Sequence, residues 1–181
     1  EVIESLPPEV VAEAMRELDT DDVVDILEDL DLPQQGLILD ALEDVDRIAV
    51  QQAMSYPEES AGRLMQREVV VAPEHWTVGE AIDYLREVEH LPDQFYHVIL
   101  IDPRMKPTGY VTLGRLLSSR REVRLKDILE DSFRTIPATE SEADVAYMFN
   151  QYHLISTPVV DVTGRLVGVI TIDDAMNVLD E

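Results

Sequence analysis

Cysteine is absent from the 181 residues. That removes a disulfide framework, a thiol nucleophile and any thiolate metal site, and it fits a reducing compartment. No apolar run approaches the ~18 to 20 residues needed to cross a bilayer, and no signal-peptide pattern opens the chain; as it stands we expect it to be soluble. Basic residues are scarce, 14 Lys and Arg against 38 Asp and Glu, for a formal net charge of −24. Phosphate backbones would be repelled, so nucleic acid is set aside as a partner. Catalytic signatures are missing too. There is no P-loop, no H-E-x-x-H, no Gly-rich phosphate loop and no Ser/His/Asp grouping. The four histidines, His75, His90, His97 and His153, are scattered. We expect no enzyme.

What is present is apolar periodicity and acid. An apolar content of 45% argues for a folded globule. Residues 1–61 hold 18 acids and 2 bases, and residues 62–181 hold 20 and 12. Most of these carboxylates have a plain reading as solvated surface. Yet two carboxylates ~5 Å apart at an effective dielectric near 20 repel by about 3 kcal/mol, and so dense a cluster invites divalent cations or a basic partner.

The first third reads as helices. LPPEVVAEAMREL, LDTDDVVDILEDL and LDLPQQGLILDALED place apolar residues at i, i+3, i+4 and i+7, as in Val10, Val11, Ala14, Met15 and Leu18. Pro7 and Pro8 suit a first turn, and Thr20 is an N-cap ahead of Asp21 and Asp22. Leu6, Leu18 and Leu30 head segments about 12 residues apart, the spacing of short stacked helices. The pattern continues through Ile48 to Met54 and breaks at YPEES, Tyr56 to Ser60.

Beyond Gly62 the period changes and the chain repeats itself. Strand VVVA (69–72) leads to a capping box at Thr77 and Glu80, then to helix VGEAIDYLREVE, strand YHVILID, strand GYVT and a short helix. The second copy runs RTIPA, a capping box at Ser141 with Asp144, helix EADVAYMFNQY, strand TPVVDV, strand RLVGVIT and helix DDAMNVLDE. Gly109 and Thr112 align with Gly168 and Thr171 at an offset of 59. We therefore read the fold class as α+β. A short-helix superhelical domain (1–58) is followed by two strand-helix-strand-strand-helix repeats (59–121 and 122–181), which should pair because ~60 residues bury too little alone.

TPVVDVTGRLVGVITIDD and VILIDPRMKPTGYVTLGRL resemble a tandem cystathionine-β-synthase-type (CBS) pair, or Bateman module. Gly168, Thr171 and Asp174 meet its Gly-x-x-Thr-x-x-Asp pattern, whereas the first copy keeps Gly109 and Thr112 but carries Arg115. YPEESAGRLM, preceded by acidic helices from LPPEVVAEAMREL, resembles the cytosolic part of MgtE-type magnesium transporters. The resemblance implies a piece of a longer membrane protein, on the cytoplasmic side of the membrane, with the pore elsewhere in the full-length chain; the missing initial methionine agrees. It implies a homodimer through the CBS pair. It also implies a regulatory role, in which Mg2+ bridges the acidic helical domain and the CBS face to close the pore.

By that resemblance Asp173 and Asp174 are metal candidates at the exit of the last strand. Asp21, Asp22 and Asp25 are their opposing candidates, Asp22 foremost. Magnesium needs hard oxygen ligands and keeps several waters, so one or two carboxylates per ion suffice. His153 and Asn177 stand where relatives can carry acids, so fewer sites are expected here. Each acidic pair has a second reading as helix N-cap, worth ~1 kcal/mol without any ligand. The resemblance further implies adenine nucleotide (ATP or AMP) in the cleft between copies, with Thr171 and Asp174 at the ribose and phosphates near Arg115 or Arg120. Gly114 and Leu154 depart from that pattern. An adenylate-sensing CBS module acting on another effector is the alternative function.

Overall fold

The computed structural model describes residues 7–15, 18, 20–42, 44–92 and 94–179. Four helices come first: α1 (Pro8–Met15), α2 (Thr20–Glu28), α3 (Leu32–Ala41) and α4 (Asp44–Met54). They share one core of Val11, Val23, Val24, Leu27, Ile38, Leu42, Val50 and Ala53. In α2 the spacing i, i+1, i+4 turns Val23, Val24 and Leu27 inward and leaves Asp22, Asp25 and Glu28 exposed. Asp31 caps α3, its side chain accepting from the Gln34 amide at 3.0 Å. Gln35 donates to the carbonyls of Leu27 at 2.8 Å and Leu30 at 3.0 Å, satisfying acceptors left over at the end of α2.

The apolar stripe expected on the first helix is narrower than its spacing suggested. Val11 is buried, but Val10 is 50% and Leu18 40% exposed, and Ala14 is exposed as well. α1 packs chiefly on α3, and Val11 is the residue of its stripe that joins the common core. Met15 and the Thr20 hydroxyl lie outside the described side chains.

The rest comprises α5 (Ala61–Leu64), β1 (Val71–Pro73), α6 (Val78–Glu87), β2 (His97–Ile101), β3 (Pro107–Thr112), α7 (Leu113–Ser118), a 3-10 turn (Leu125–Ile128), β4 (Ile136–Pro137), α8 (Glu142–Tyr152), β5 (Ser156–Val160), β6 (Leu166–Thr171) and α9 (Ile172–Leu179). These build two three-stranded sheets, β1-β2-β3 and β4-β5-β6, each with one parallel and one antiparallel pair. The copies agree to the bulge, which falls between Leu100 and Ile101 in one and Val159 and Val160 in the other. β1 and β4 are shorter than VVVA and RTIPA suggested, since each pairs along one edge only.

Caps set the helices. Thr77 forms the full capping box with Glu80. Ser141 accepts from the Asp144 amide at 3.2 Å, but the return bond expected from Asp144 is replaced. Its shorter side chain meets Glu140 instead, and the hydrogen bond between the two acids holds Glu140 above the usual carboxylate range.

The segment before each repeat packs on the other repeat. Ala61 and Met65 belong to the second copy's core, with Ile136, Val145, Phe149 and Ile170; Leu125 and Ile128 belong to the first copy's, with Val78, Leu100 and Val111. The amide of Gln66 donates to Val169 O at 2.9 Å and that of Glu130 to Tyr110 O at 3.0 Å. The two bonds are related by the same internal pseudo-two-fold. Residues 59–66, adjacent in sequence to the first copy, are thus built into the second.

Candidate functional site

Where the helical domain meets the second repeat, the surfaces enclose a cleft of about 610 Å3. α2 and its exit contribute Asp25, Glu28 and Asp29; the connection contributes Glu58 and Glu59; α8 and α9 contribute Glu142 and Asp174. Arg63 is the one basic residue among the described residues that line it.

Local structure explains why these carboxylates gather. Asp25 and Asp29 lie on the side of α2 and its exit turned away from Val24 and Leu27, and Glu28, one turn after Val24, lies at the edge of that side. Glu59 has a left-handed backbone, φ 59°, which turns the connection so that its carbonyl accepts from the Glu142 amide at 2.8 Å. Glu142 and Asp174 stand in the first turns of α8 and α9, where the helix dipole favours a negative charge. The Asp174 carboxylate also accepts from the Thr171 amide at 3.3 Å and hydroxyl at 3.0 Å. It therefore stands between the interdomain cleft and Thr171.

The structure brings two of the predicted metal residues together: Asp25 and Asp174 line the cleft from opposite sides. Asp22 is exposed one turn earlier on α2, and Asp173 is exposed on α9; neither is among the lining residues. The Asp21 carboxylate lies outside the described side chains. Asn177 lines the cleft. His153 is exposed and ends α8 in the left-handed region, φ 54°, a capping position. Sequence reasoning missed Glu28, Asp29, Glu58, Glu59, Glu142 and Arg63. Extending the acidic stripe of α2 by one turn would have found the first two.

Among the described residues no group of three or more His, Asp or Glu is gathered to hold a metal ion. The arrangement is not a dehydrated cage. All-oxygen donors lining a roomy cleft suit a hydrated hard cation held by one or two carboxylates.

A second, smaller cleft lies between the repeats, lined by Gln66, Tyr96, His97, Ser156, Val169 and Thr171 among others, with room of about 10 Å3. That is about one water. His97 Nδ1 and Ser156 Oγ are hydrogen-bonded across it at 2.5 Å, and burial pushes the His97 pKa down to about 4. On the first copy's side Tyr110, which occupies the place of Val169, packs at a tilt against His97 (ring centroids 4.2 Å apart) and edge-to-face against Phe133 (5.4 Å). The strand exits differ as well. Thr171 donates its hydroxyl to Asp174, whereas Thr112 accepts from the Arg115 amide at 3.1 Å and merely caps α7. Arg115 and Arg120 are exposed.

A tandem pair of this topology defines a class. The chain belongs to the CBS-domain family, whose two matches cover residues 61–122 and 125–181. The particular combination is narrower: residues 1–59 match the MgtE intracellular N domain. Among curated proteins it is 28% identical over 166 residues to the magnesium transporter MgtE of Bacillus subtilis (92% of this chain, 37% of that protein). It is 30% identical over 141 residues to that of Thermus thermophilus (78% and 31%). The chain thus spans about a third of the length of these relatives. A crystal structure of the soluble part of a magnesium transporter matches with TM-score 0.91 at 26% identity, over 98% of this chain and 70% of that one. The cytosolic domain of the Mg2+ channel MgtE in complex with ATP matches with TM-score 0.82 at 28% identity, over 98% and 77%. No helix among the described residues is long and apolar enough to cross a membrane.

Proposed function

We propose that this chain is the regulatory, Mg2+-sensing portion of an MgtE-type magnesium transporter, working on the cytoplasmic side of the membrane and carrying no catalysis of its own. The observation behind the proposal is the cleft itself. Asp25, Glu28 and Asp29 on the helical domain oppose Asp174 and Glu142 on the second repeat. Like charges at such an interface repel without a cation and are clamped by a divalent one. A ligand that binds only the closed arrangement shifts the population toward it, and the closed arrangement shuts a pore carried elsewhere in the full-length protein. We take residues 1–58, 59–121 and 122–181 as its units along the sequence, with residues 59–66 packed on the second repeat. The pair dimerises through its helical faces, where Leu117 and Tyr147 are exposed.

Small-angle scattering during a millimolar Mg2+ titration, with Na+ at matched ionic strength, tests the reading. Mg2+ alone should shrink the particle, and Asp174→Ala or Asp25→Ala should blunt the change. A particle equally compact throughout would return these acids to solvated surface and helix caps.

A second reading, adenine nucleotide at Thr171 and Asp174, draws support from the solved MgtE domain whose complex contains ATP. In this chain it requires the His97–Ser156 contact to part, since the cleft as it stands is water-sized. Calorimetry with ATP and AMP should show binding that Thr171→Ala weakens; no heat with either nucleotide would discard it.

A further inference from the structure

One face of the chain occurs twice with its charge reversed. On the second repeat, the face that meets the helical domain is built where the Glu142 amide donates to the Glu59 carbonyl at 2.8 Å, beside Asp174. On the first repeat the Val78 amide donates to the Val123 carbonyl at 2.8 Å, and Arg115 holds the place of Asp174. The bridges Ser60–Ser141 and Thr77–Arg124 match in the same way. Around the first repeat's version of the face, Arg115, Arg120, Arg121, Arg124 and Lys126 are all exposed. They are five of the chain's 14 bases, and from 115 to 127 only Glu122 and Asp127 are acidic. Arg121 pairs with Asp83 at 2.7 Å. The other four bases have no ion pair among the described residues.

We propose that this basic face of the first repeat docks the acidic helical domain of a second copy, with no metal between them. Charge complementarity selects the occupant. Residues 1–61 hold 18 acids and 2 bases, and Glu13, Asp22 and Asp40 are exposed away from the interdomain cleft. The chain's own helical domain is out of reach. Residues 55–60 join Met54 to Ala61 and span about 20 Å at most, whereas the pseudo-two-fold puts the first repeat's face across the pair. Guanidinium forks suit the task because each can hold a carboxylate through two parallel bonds. Such pairs orient two copies more than they bind them. Leu117, 74% exposed on the same helix, borders the face and belongs to the surface through which the pair is proposed to dimerise. The docking rests on that dimer and is independent of Mg2+.

Carbodiimide coupling tests the contact. It joins a carboxylate to a neighbouring amine as an amide, the carbodiimide taking up the water, and the chain has only two lysines, Lys106 and Lys126. Unlabelled and 15N-labelled chains are mixed in EDTA at low salt, coupled and digested. Peptides joining Lys126 to residues 1–61 should appear with one labelled and one unlabelled partner, and should fall about tenfold in ~0.5 M NaCl, where exposed charges are screened. Arg120→Glu combined with Arg124→Glu should weaken association about tenfold by sedimentation, with circular dichroism confirming the fold. Lys126 coupled only to acids of its own copy would overturn the proposal, and that result needs no variant. A folded double variant that associates like wild type would do the same. Binding to phosphatidylglycerol vesicles in place of the mixed peptides would give the face to a lipid surface instead. The dimer reading fails separately. A chain that sediments as a monomer at every concentration sinks both readings, whereas a dimer without mixed Lys126 peptides sinks the docking alone.

Discussion

His97 and Ser156 hydrogen-bond to each other at 2.5 Å although they hold the same place in their repeats, 59 positions apart. Each opens the central strand of its sheet and faces a threonine, Thr112 or Thr171, on the next. The pseudo-two-fold between the copies passes between them, so one polar contact stitches the two sheets where their strand ends meet.

That contact has a pH dependence. Burial holds His97 near 4 against an ordinary value of 6.5, so the native ring is neutral at pH 7. The folded state binds fewer protons than the unfolded state between those values, so stability is complete above pH 6.5 and drains as the pH falls toward 4. The ring is partly exposed, and after discounting for solvent we expect about 1 to 2 kcal/mol. Urea unfolding of wild type and His97→Gln at pH 7.5 and pH 5 should show a larger loss in wild type. Equal losses would mean that the native ring takes up its proton over the same pH range as the unfolded one.

Thr157 carries a buried hydroxyl in β5 with no hydrogen-bond partner among the described residues. Burying an unpaired hydroxyl costs free energy that a methyl group of similar size does not. Thr157→Val should therefore raise stability by about 1 kcal/mol, read as a higher melting temperature. A lower one would reveal a partner for the hydroxyl.

The two hairpins offer an internal control for backbone strain. Both turn at equivalent left-handed residues, Met105 with φ 66° and Gly164 with φ 85°. A side chain in that region costs roughly 1 kcal/mol, and Met105 is 46% exposed, so it returns little by packing. Met105→Gly should be neutral to stabilising, by up to about 1 kcal/mol. A clear loss of stability in thermal melts would show that the Met105 side chain contributes packing its exposure conceals.

Gly168 has no such freedom in reserve. A Cβ there would lie 2.5 Å from Met65 Sδ and 2.7 Å from the backbone oxygen of Gln66. The methionine can give way, but Gln66 is fixed by its paired bonds with Val169 at 2.9 Å. Gly168→Ala should cost about 1 to 3 kcal/mol, and amide exchange at Gln66 and Val169 should quicken. Unchanged exchange would place the relief elsewhere.

How much of this was legible in the sequence depended on whether the signal was local. Gly109 and Thr112 against Gly168 and Thr171 announced the duplication, and Thr77 with Glu80 announced a helix start, because a turn or a cap is decided within a few residues. Asp174 was reachable the same way, at a strand exit. Asp22 was put foremost by the family resemblance, and only the docking of the second repeat decides which turn of α2 faces the cleft. Arg63 was invisible for a deeper reason. Its partners Tyr56 and Glu28 are 7 and 35 residues distant, and nothing local says that α5 leaves the first repeat for the second.

That exchange gives the molecule a direction. The Ala61 amide donates to Glu140 O at 2.8 Å and Gln66 clasps Val169, so a torque applied through α4 reaches the second repeat within a few residues. The chain runs on from Gln66 through residues 67–70 into β1, so the first repeat comes after the second along this path. Two halves built on the same plan thus meet the helical domain unequally, through the seven residues from Ser60 to Gln66 that pack on the second.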